Sequence, residues 1–248
     1  MRLKRGGPYL LHLQLLRDKV SSFDKFPFSL PAIRNLETLP FHPKVTFLVG
    51  ENGSGKSTVL EAVAVESDLN PEGGSRNFNF STRPSHSCLD SYIRLARSPS
   101  LPRDSYFLRA ESFFNVATQV EQLGVSDSYG GRSLHEQSHG ESFFTLFEKR
   151  FRGQGLYFLD EPEAALSPNR QMSFLSLLHA FCEGGSQFVI ATHSPIIMAY
   201  PDAWIYALGV DGIKQTPYED TEHYQVTKAF LEHRPRMLQV LIDKGRTA

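Results

Sequence analysis

Cysteine is nearly absent from this chain of 248 residues, and so are several other signals. The two cysteines, Cys88 and Cys182, have neither metal-ligand nor redox spacing. That excludes a disulfide framework or zinc module and suits a reducing compartment. Neither sign of charge dominates. Lys and Arg total 26 against 27 Asp and Glu, for a net charge of −1 and a pI near 6.8. No global electrostatic case for nucleic acid follows from that balance. Two local basic clusters, Arg2, Lys4 and Arg5 and then Lys149, Arg150 and Arg152, read either as solvated faces or as nucleic-acid contacts. No apolar run is long enough to span a bilayer. The early run 10–16 is broken by His12 and Gln14 and lacks a small-residue cleavage site, so it reads as a strand, not a signal peptide. A cytoplasmic location without direct membrane insertion is the expectation. Repeats, low-complexity tracts and sustained heptads are also missing.

What is present is 40% hydrophobic and 21% charged, with one dense motif. Those proportions are ordinary for a globular protein. Gly50-Glu51-Asn52-Gly53-Ser54-Gly55-Lys56-Ser57-Thr58 fits G-x-x-x-x-G-K-[ST]. The β-rich run Val45-Thr46-Phe47-Leu48-Val49 precedes it, and a helical pattern follows to about Glu66. Glycines let backbone amides curl around phosphate oxygens without Cβ clashes, and the opening helix turns its positive end to the same anion. Lys56 can reach the outer phosphates, and the Ser57 hydroxyl can serve Mg²⁺. The alternative is a glycine-rich turn with no ligand, which the strand-to-helix context disfavours.

Three later segments build on this one. Residues 156–159 form an apolar run ending at Asp160-Glu161. Ser167-Pro168 opens a helix, with serine as N-cap and proline in the first turn, that stops at Gly184-Gly185. Residues 188–192 form a further strand ending at His193. Strands alternating with helices imply a mostly parallel sheet covered on both faces, with ligands at the carboxyl ends of its strands. Three strand ends, at Gly50, Asp160 and His193, are expected to converge there. Asp160 suits a Mg²⁺ position, Glu161 can orient or deprotonate an attacking water, and His193 can donate to a γ-phosphate oxygen. The bland accounts are a solvated turn at Asp160-Glu161-Pro162 and a helix cap at Ser194-Pro195. Ser138-x-x-Glu141 reads both as a capping box and as a helix N-terminus offering a second phosphate site.

Elsewhere, strands are expected over 9–17, around 26–30 and over 106–110, a helix over 89–97, and a loop over 68–75. The C-terminal run 224–231 reads as helical, and Met237, Leu238, Val240 and Leu241 are expected to pack into the core in preference to forming a docking surface.

In order, GENGSGKST, QSHGES, LYFLDEPEAALSP and ATHSP resemble the Walker A, signature, Walker B with D-loop, and H-loop elements of the ABC-type ATPases. Within that superfamily the chain is most similar to compact stand-alone AAA-type ATPases related to SMC and RecF-like heads. The resemblance implies a P-loop NTPase α/β fold: a mostly parallel sheet flanked by helices, an N-terminal antiparallel β portion and a small helical insertion. It implies one domain over 1–248, with 1–66 and 143–248 as core and about 67–142 as a helical or loop lobe carrying the signature. It assigns ATP to Gly50, Asn52, Gly53, Ser54, Gly55, Lys56, Ser57 and Thr58. Mg²⁺ falls to Ser57 and Asp160, with Glu111 in the Q-loop place where glutamine is usual. Glu161 becomes the hydrolytic base, Lys56 a catalytic cation and His193 the switch histidine. Ser138 and Gly140 would touch ATP held by a second copy, although His139 replaces the first glycine of the usual LSGGQ. An ATP-dependent homodimer follows, working with nucleic acid or an effector protein in repair or defence. The alternatives are a transporter's ATP-binding subunit and a non-hydrolysing nucleotide sensor.

Overall fold

A computed structural model describes residues 6–75, 87–109, 144, 147–148, 151 and 153–244. Strand β1 (Leu10–Leu15) leads to a one-turn helix α1 (Pro31–Arg34), β2 (Thr38–Pro40), β3 (Val45–Val49) and helix α2 (Lys56–Glu66). Next come β4 (Gly74–Ser75), β5 (Ile93–Arg97), β6 (Asp104–Arg109), β7 (Gly155–Asp160) and helix α3 (Pro168–Glu183). The chain continues through β8 (Gln187–Ala191), β9 (Ala203–Gly209), β10 (Gly212–Gln215) and helices α4 (Glu222–Glu232) and α5 (Arg234–Lys244).

The main sheet has seven strands in the order β10-β9-β3-β8-β7-β6-β4. Its five central strands are parallel and its two edges antiparallel. Burial on both faces explains why β3, β7 and β8 read as continuous apolar runs and not as alternating ones. Side chains still alternate across the sheet. Val45, Phe47 and Val49 join Tyr157, Leu159, Phe188 and Ile190 beneath Phe174, Leu178 and Cys182 of α3. Leu48, Phe158, Val189 and Ala191 face the other way, onto Val59, Leu60 and Val63 of α2 and the small sheet beyond. That second sheet, β2-β1-β5, is antiparallel throughout. The fold is therefore the mixed α/β P-loop architecture, with a mostly parallel sheet and an antiparallel N-terminal portion.

Three local expectations fail for identifiable reasons. Residues 26–30 form turns: the Ser29 and Leu30 amides donate to Lys25 and Pro27 carbonyls, leaving no ladder to pair. Residues 93–97 form a strand, not a helix, preceded by a 3₁₀ turn (Cys88–Tyr92). Ile93 and Leu95 are buried with Arg94 exposed between them, a period of two that suits β1 as antiparallel partner. The C-terminal helices do not bury into the core: Met237 and Leu238 are only partly buried, and Val240 and Leu241 are at least half exposed. Strands β5 and β6 lie inside the span 67–142 expected to be a lobe, and each is built into one of the sheets. No helix among the described residues is long and apolar enough to cross a membrane.

Candidate functional site

Register brings the chemistry to one edge. Leu48 of β3 and Asp160 of β7 both pair with Ala191 of β8, and Asp160 also pairs with Arg109 of β6. The residues that follow each strand therefore emerge side by side: Gly50, Glu161 and His193.

The loop after β3 requires its glycines. Gly50 has φ 142°, and a Cβ there would lie 2.3 Å from the Leu208 carbonyl oxygen. Gly55, in the left-handed region at φ 101°, turns the chain into α2. Asn52, Gly53 and Ser54 line a cavity of about 640 Å³ together with Leu208, Asp211 and His223. Lys56 is almost fully buried and donates to the Gly50 and Glu51 carbonyls at 2.8 and 2.9 Å. Burial pushes its pKa down, against the charges of Glu161, Asp160 and Glu163. Ser57 Oγ donates to Asp160 Oδ1 at 2.9 Å, joining the first helical turn to the end of β7. Thr58 lies in that same turn.

Glu161 has φ 51° and ψ 52°, which is a left-handed conformation. Such a backbone costs a non-glycine residue about 1 kcal/mol. It turns the chain sharply after the strand, and the Glu161 carboxylate stands 3.4 Å from His193 Nε2. Glu163, two residues on, is partly buried: it accepts the Thr192 hydroxyl at 2.8 Å and the His193 amide at 2.5 Å. Burial pushes its pKa up, against those hydrogen bonds. Its carboxylate thus ties the segment after β7 to the segment after β8. The cap expected at Ser194 also exists, since its Oγ accepts from the Ile196 and Ile197 amides.

Four participants escaped the sequence reading. Arg109 ends β6, where its guanidinium contacts Glu61 at 2.6 Å and approaches Asp160 Oδ2 at 3.6 Å. The strand-end argument used for Asp160 applies equally to Arg109 and could have found it. Glu61 and Glu163 are acids whose burial has no local signature. His223, in the first turn of α4, meets His193 across thirty positions of sequence, and no short pattern announces such a contact. Glu111, Ser138, Gly140 and the cluster Lys149, Arg150 and Arg152 lie outside the described residues, as do Arg2, Lys4 and Arg5.

Ser54 Oγ and His193 Nε2 are among the buried polar atoms without a hydrogen-bond partner, as is Arg109 Nε beside Asp160. Ser54 and His193 belong to segments flanking Lys56, and buried groups left unsatisfied cost about 1–3 kcal/mol each. Two potential donors beside a buried ammonium fit a polyanion. The Ser57 hydroxyl and the Asp160 carboxylate are hard oxygen donors of the kind Mg²⁺ prefers.

Residues 131–199 match a family described as "AAA domain, putative AbiEii toxin, Type IV TA system", and residues 20–82 one described as "AAA domain". The chain is 30% identical over 166 residues to the cytochrome c biogenesis ATP-binding export protein CcmA of Rhizobium johnstonii, spanning 60% of this chain and 75% of that protein. It is 27% identical over 190 residues to the vitamin B12 import ATP-binding protein BtuD of Yersinia enterocolitica, spanning 67% and 70%. Among solved structures, the SMC head domain from Thermotoga maritima aligns with a TM-score of 0.46 at 16% identity, covering 85% of this chain and 99% of that one.

Proposed function

The chain belongs to the ABC-type ATPases, and on that footing we propose that it hydrolyses ATP with Mg²⁺ between two copies of itself. The observation that carries the reading is the Ser57–Asp160 hydrogen bond, set at one sheet edge with Lys56, Glu161 and His193 around it. The 50–58 loop and Lys56 bind the phosphates, and Ser57, Asp160 and Glu111 hold the metal. When bound, Mg²⁺ supplies positive charge to the phosphate oxygens. Glu161 orients the attacking water and accepts its proton. His193 donates toward the terminal phosphoryl oxygens, and Glu163 fixes the backbone on which His193 sits.

A loop of this kind leaves one side of the terminal phosphate open. Ser138 and Gly140 of a second copy would cover that side, so that ATP joins the two and hydrolysis releases them. We place residues 1–248 in one domain with the signature within 67–142, and the whole in the cytoplasm. Its work is in defence or repair with an effector protein or nucleic acid; the toxin named in the description of the family matched over 131–199 speaks for defence. The names of the curated relatives favour a second reading, an ATP-binding subunit of a membrane transporter. Stimulation by DNA, lost on neutralising Lys149, Arg150 and Arg152, supports the first; co-purification with a membrane protein supports the second.

The decisive measurement is the size of the Glu161→Gln variant with and without ATP. A shift to dimer on adding ATP, abolished by Ser138→Arg, is the expected result. A variant that stays monomeric at saturating ATP, beside a wild type whose specific rate survives dilution, overturns the shared-site reading.

A further inference from the structure

We propose that His223 is a positioning residue that fixes the tautomer of His193, so that His193 carries its proton on Nε2. The two rings meet edge to face, with centroids 5.1 Å apart and planes at 62°. His193 Nδ1 lies 2.9 Å from His223 Nε2, a hydrogen bond holding one proton. A neutral imidazole has one donor nitrogen and one acceptor, so the direction of this bond decides what the far nitrogen of His193 can do.

The surroundings choose the direction. His193 Nε2 faces the Glu161 carboxylate at 3.4 Å and has no hydrogen-bond partner of its own. A lone pair aimed at that carboxylate would be repelled, whereas an N–H is attracted. The Nε2–H tautomer of His193 leaves Nδ1 as acceptor, so His223 Nε2 must be the donor. Burial and then the Lys56 charge lower the pKa of His193 against the pull of Glu161, and burial, then His193 and Lys56, lower that of His223. Both shifts favour neutral rings, and a neutral acceptor ring leaves the bond its lone pair. Two imidazolium rings could not make this bond.

His223 is well held for such a task. It occupies the first turn of α4, whose approach is fastened twice to the segment after β8: Tyr218 Oη donates to the Pro195 carbonyl at 2.9 Å, and Thr221 Oγ1 lies 3.5 Å from Met198 Sδ. Partners that orient a metal-ligating histidine typically affect activity about 10–100-fold when removed, and the same scale is expected here. The consequence for function rests on the hydrolytic reading above: Nε2–H is a donor for a phosphoryl oxygen, whereas a bare Nε2 would repel it.

The test separates the two ideas. Nitrogen-15 histidine spectra of the protein without nucleotide report the tautomer of His193 directly. The Nε2–H form is expected in wild type and in His223→Gln, whose amide can donate in place of the ring. His223→Glu, able only to accept, is expected to force the Nδ1–H form. In ATP hydrolysis, His223→Glu should lose about 10–100-fold in kcat with little change in KM, and His223→Gln should keep most of the rate. A wild-type Nδ1–H tautomer overturns the proposal, as do Gln and Glu variants with the same tautomer and rate. Should His223→Glu fail to fold, the wild-type spectrum still tests the tautomer, and His223→Ala, with no donor at 223, tests its dependence on His223: an Nε2–H population and rate unchanged in His223→Ala overturn the proposal. The stated tautomers with no ATP turnover in wild type would support the histidine pairing and defeat the hydrolytic reading.

Discussion

The two ends of the seven-stranded sheet spend their buried polar groups in opposite ways. At the amino end, Gln187 is fully buried at the start of β8, and all of its capacity is used. Its Oε1 accepts from the Tyr9 and Leu10 amides at 2.8 Å each, and its Nε2 donates to the Leu10 and His42 carbonyls at 2.9 and 3.0 Å. One side chain thereby staples β1 of the small sheet to β8 of the large one. At the carboxyl end, Ser54 Oγ and His193 Nε2 are buried with no partner, Lys56 is buried as a cation, and Glu161 holds a left-handed backbone. Satisfied groups stabilise an architecture. Unsatisfied groups at a convergence of strand ends are what a ligand can stabilise.

That contrast can be broken from either side. The largest expected effect is at the carboxyl end: Glu161→Gln should lower ATP turnover about a thousandfold, with the melting temperature almost unmoved. A comparable energy at the other end should appear as stability. Gln187→Leu strands four buried backbone groups and should cost about 4 kcal/mol, or roughly 12 °C in Tm, without changing turnover per folded molecule. Equal losses of activity and stability in both variants would erase the distinction between the ends.

Ligand should act on the carboxyl end alone. ATP with Mg²⁺ at about a hundred times its Kd should stabilise by about 2.7 kcal/mol, a shift that Lys56→Ala abolishes and Gln187→Leu retains. Calorimetry with and without nucleotide measures it.

Acid should weaken both ends. Burial lowers the pKa of His42 at one end and of His193 and His223 at the other. For a histidine lowered in the folded state, the unfolded chain takes up its proton first. Stability therefore falls as pH drops through the ordinary histidine range near 6.5, and levels off only below the folded value. Glu163 runs the other way: raised by burial, it favours the folded state most below about pH 4.5 and loses that contribution as pH rises through its folded value. Melting between pH 7.5 and 5.5 should show a decline governed by the histidines, smaller in His42→Gln. The smallest effect belongs to the exposed ion pairs of Lys44 with Glu183 and Asp202. Lys44→Ala should cost under about 1 kcal/mol, and less in high salt.

The pattern of what could be read follows the range of each interaction. The loop at 50–58, the strands ending at Asp160 and His193, and the cap at Ser167 were legible because each depends on neighbours within a few residues. The strand at 93–97 differs from expectation because pairing with β1, not local preference, decides the conformation there, whereas 26–30 is settled by its own turn hydrogen bonds. Val240 and Leu241, expected in the core, are exposed for a related reason: an apolar face shows that something could cover it, not that the core does.

Sequence alone determined the phosphate-type loop, the alternation of strands and helices, and the acids and histidine at strand ends, since backbone sterics and short-range spacing are written locally. Tertiary structure decided the rest. Strand register set Arg109 beside Asp160, and burial turned Glu163 into a tie between two loops. The return of α4 across the site put His223 against His193. Those contacts join residues far apart along the chain, and the energy of meeting exists only once the sheet has brought them to one edge.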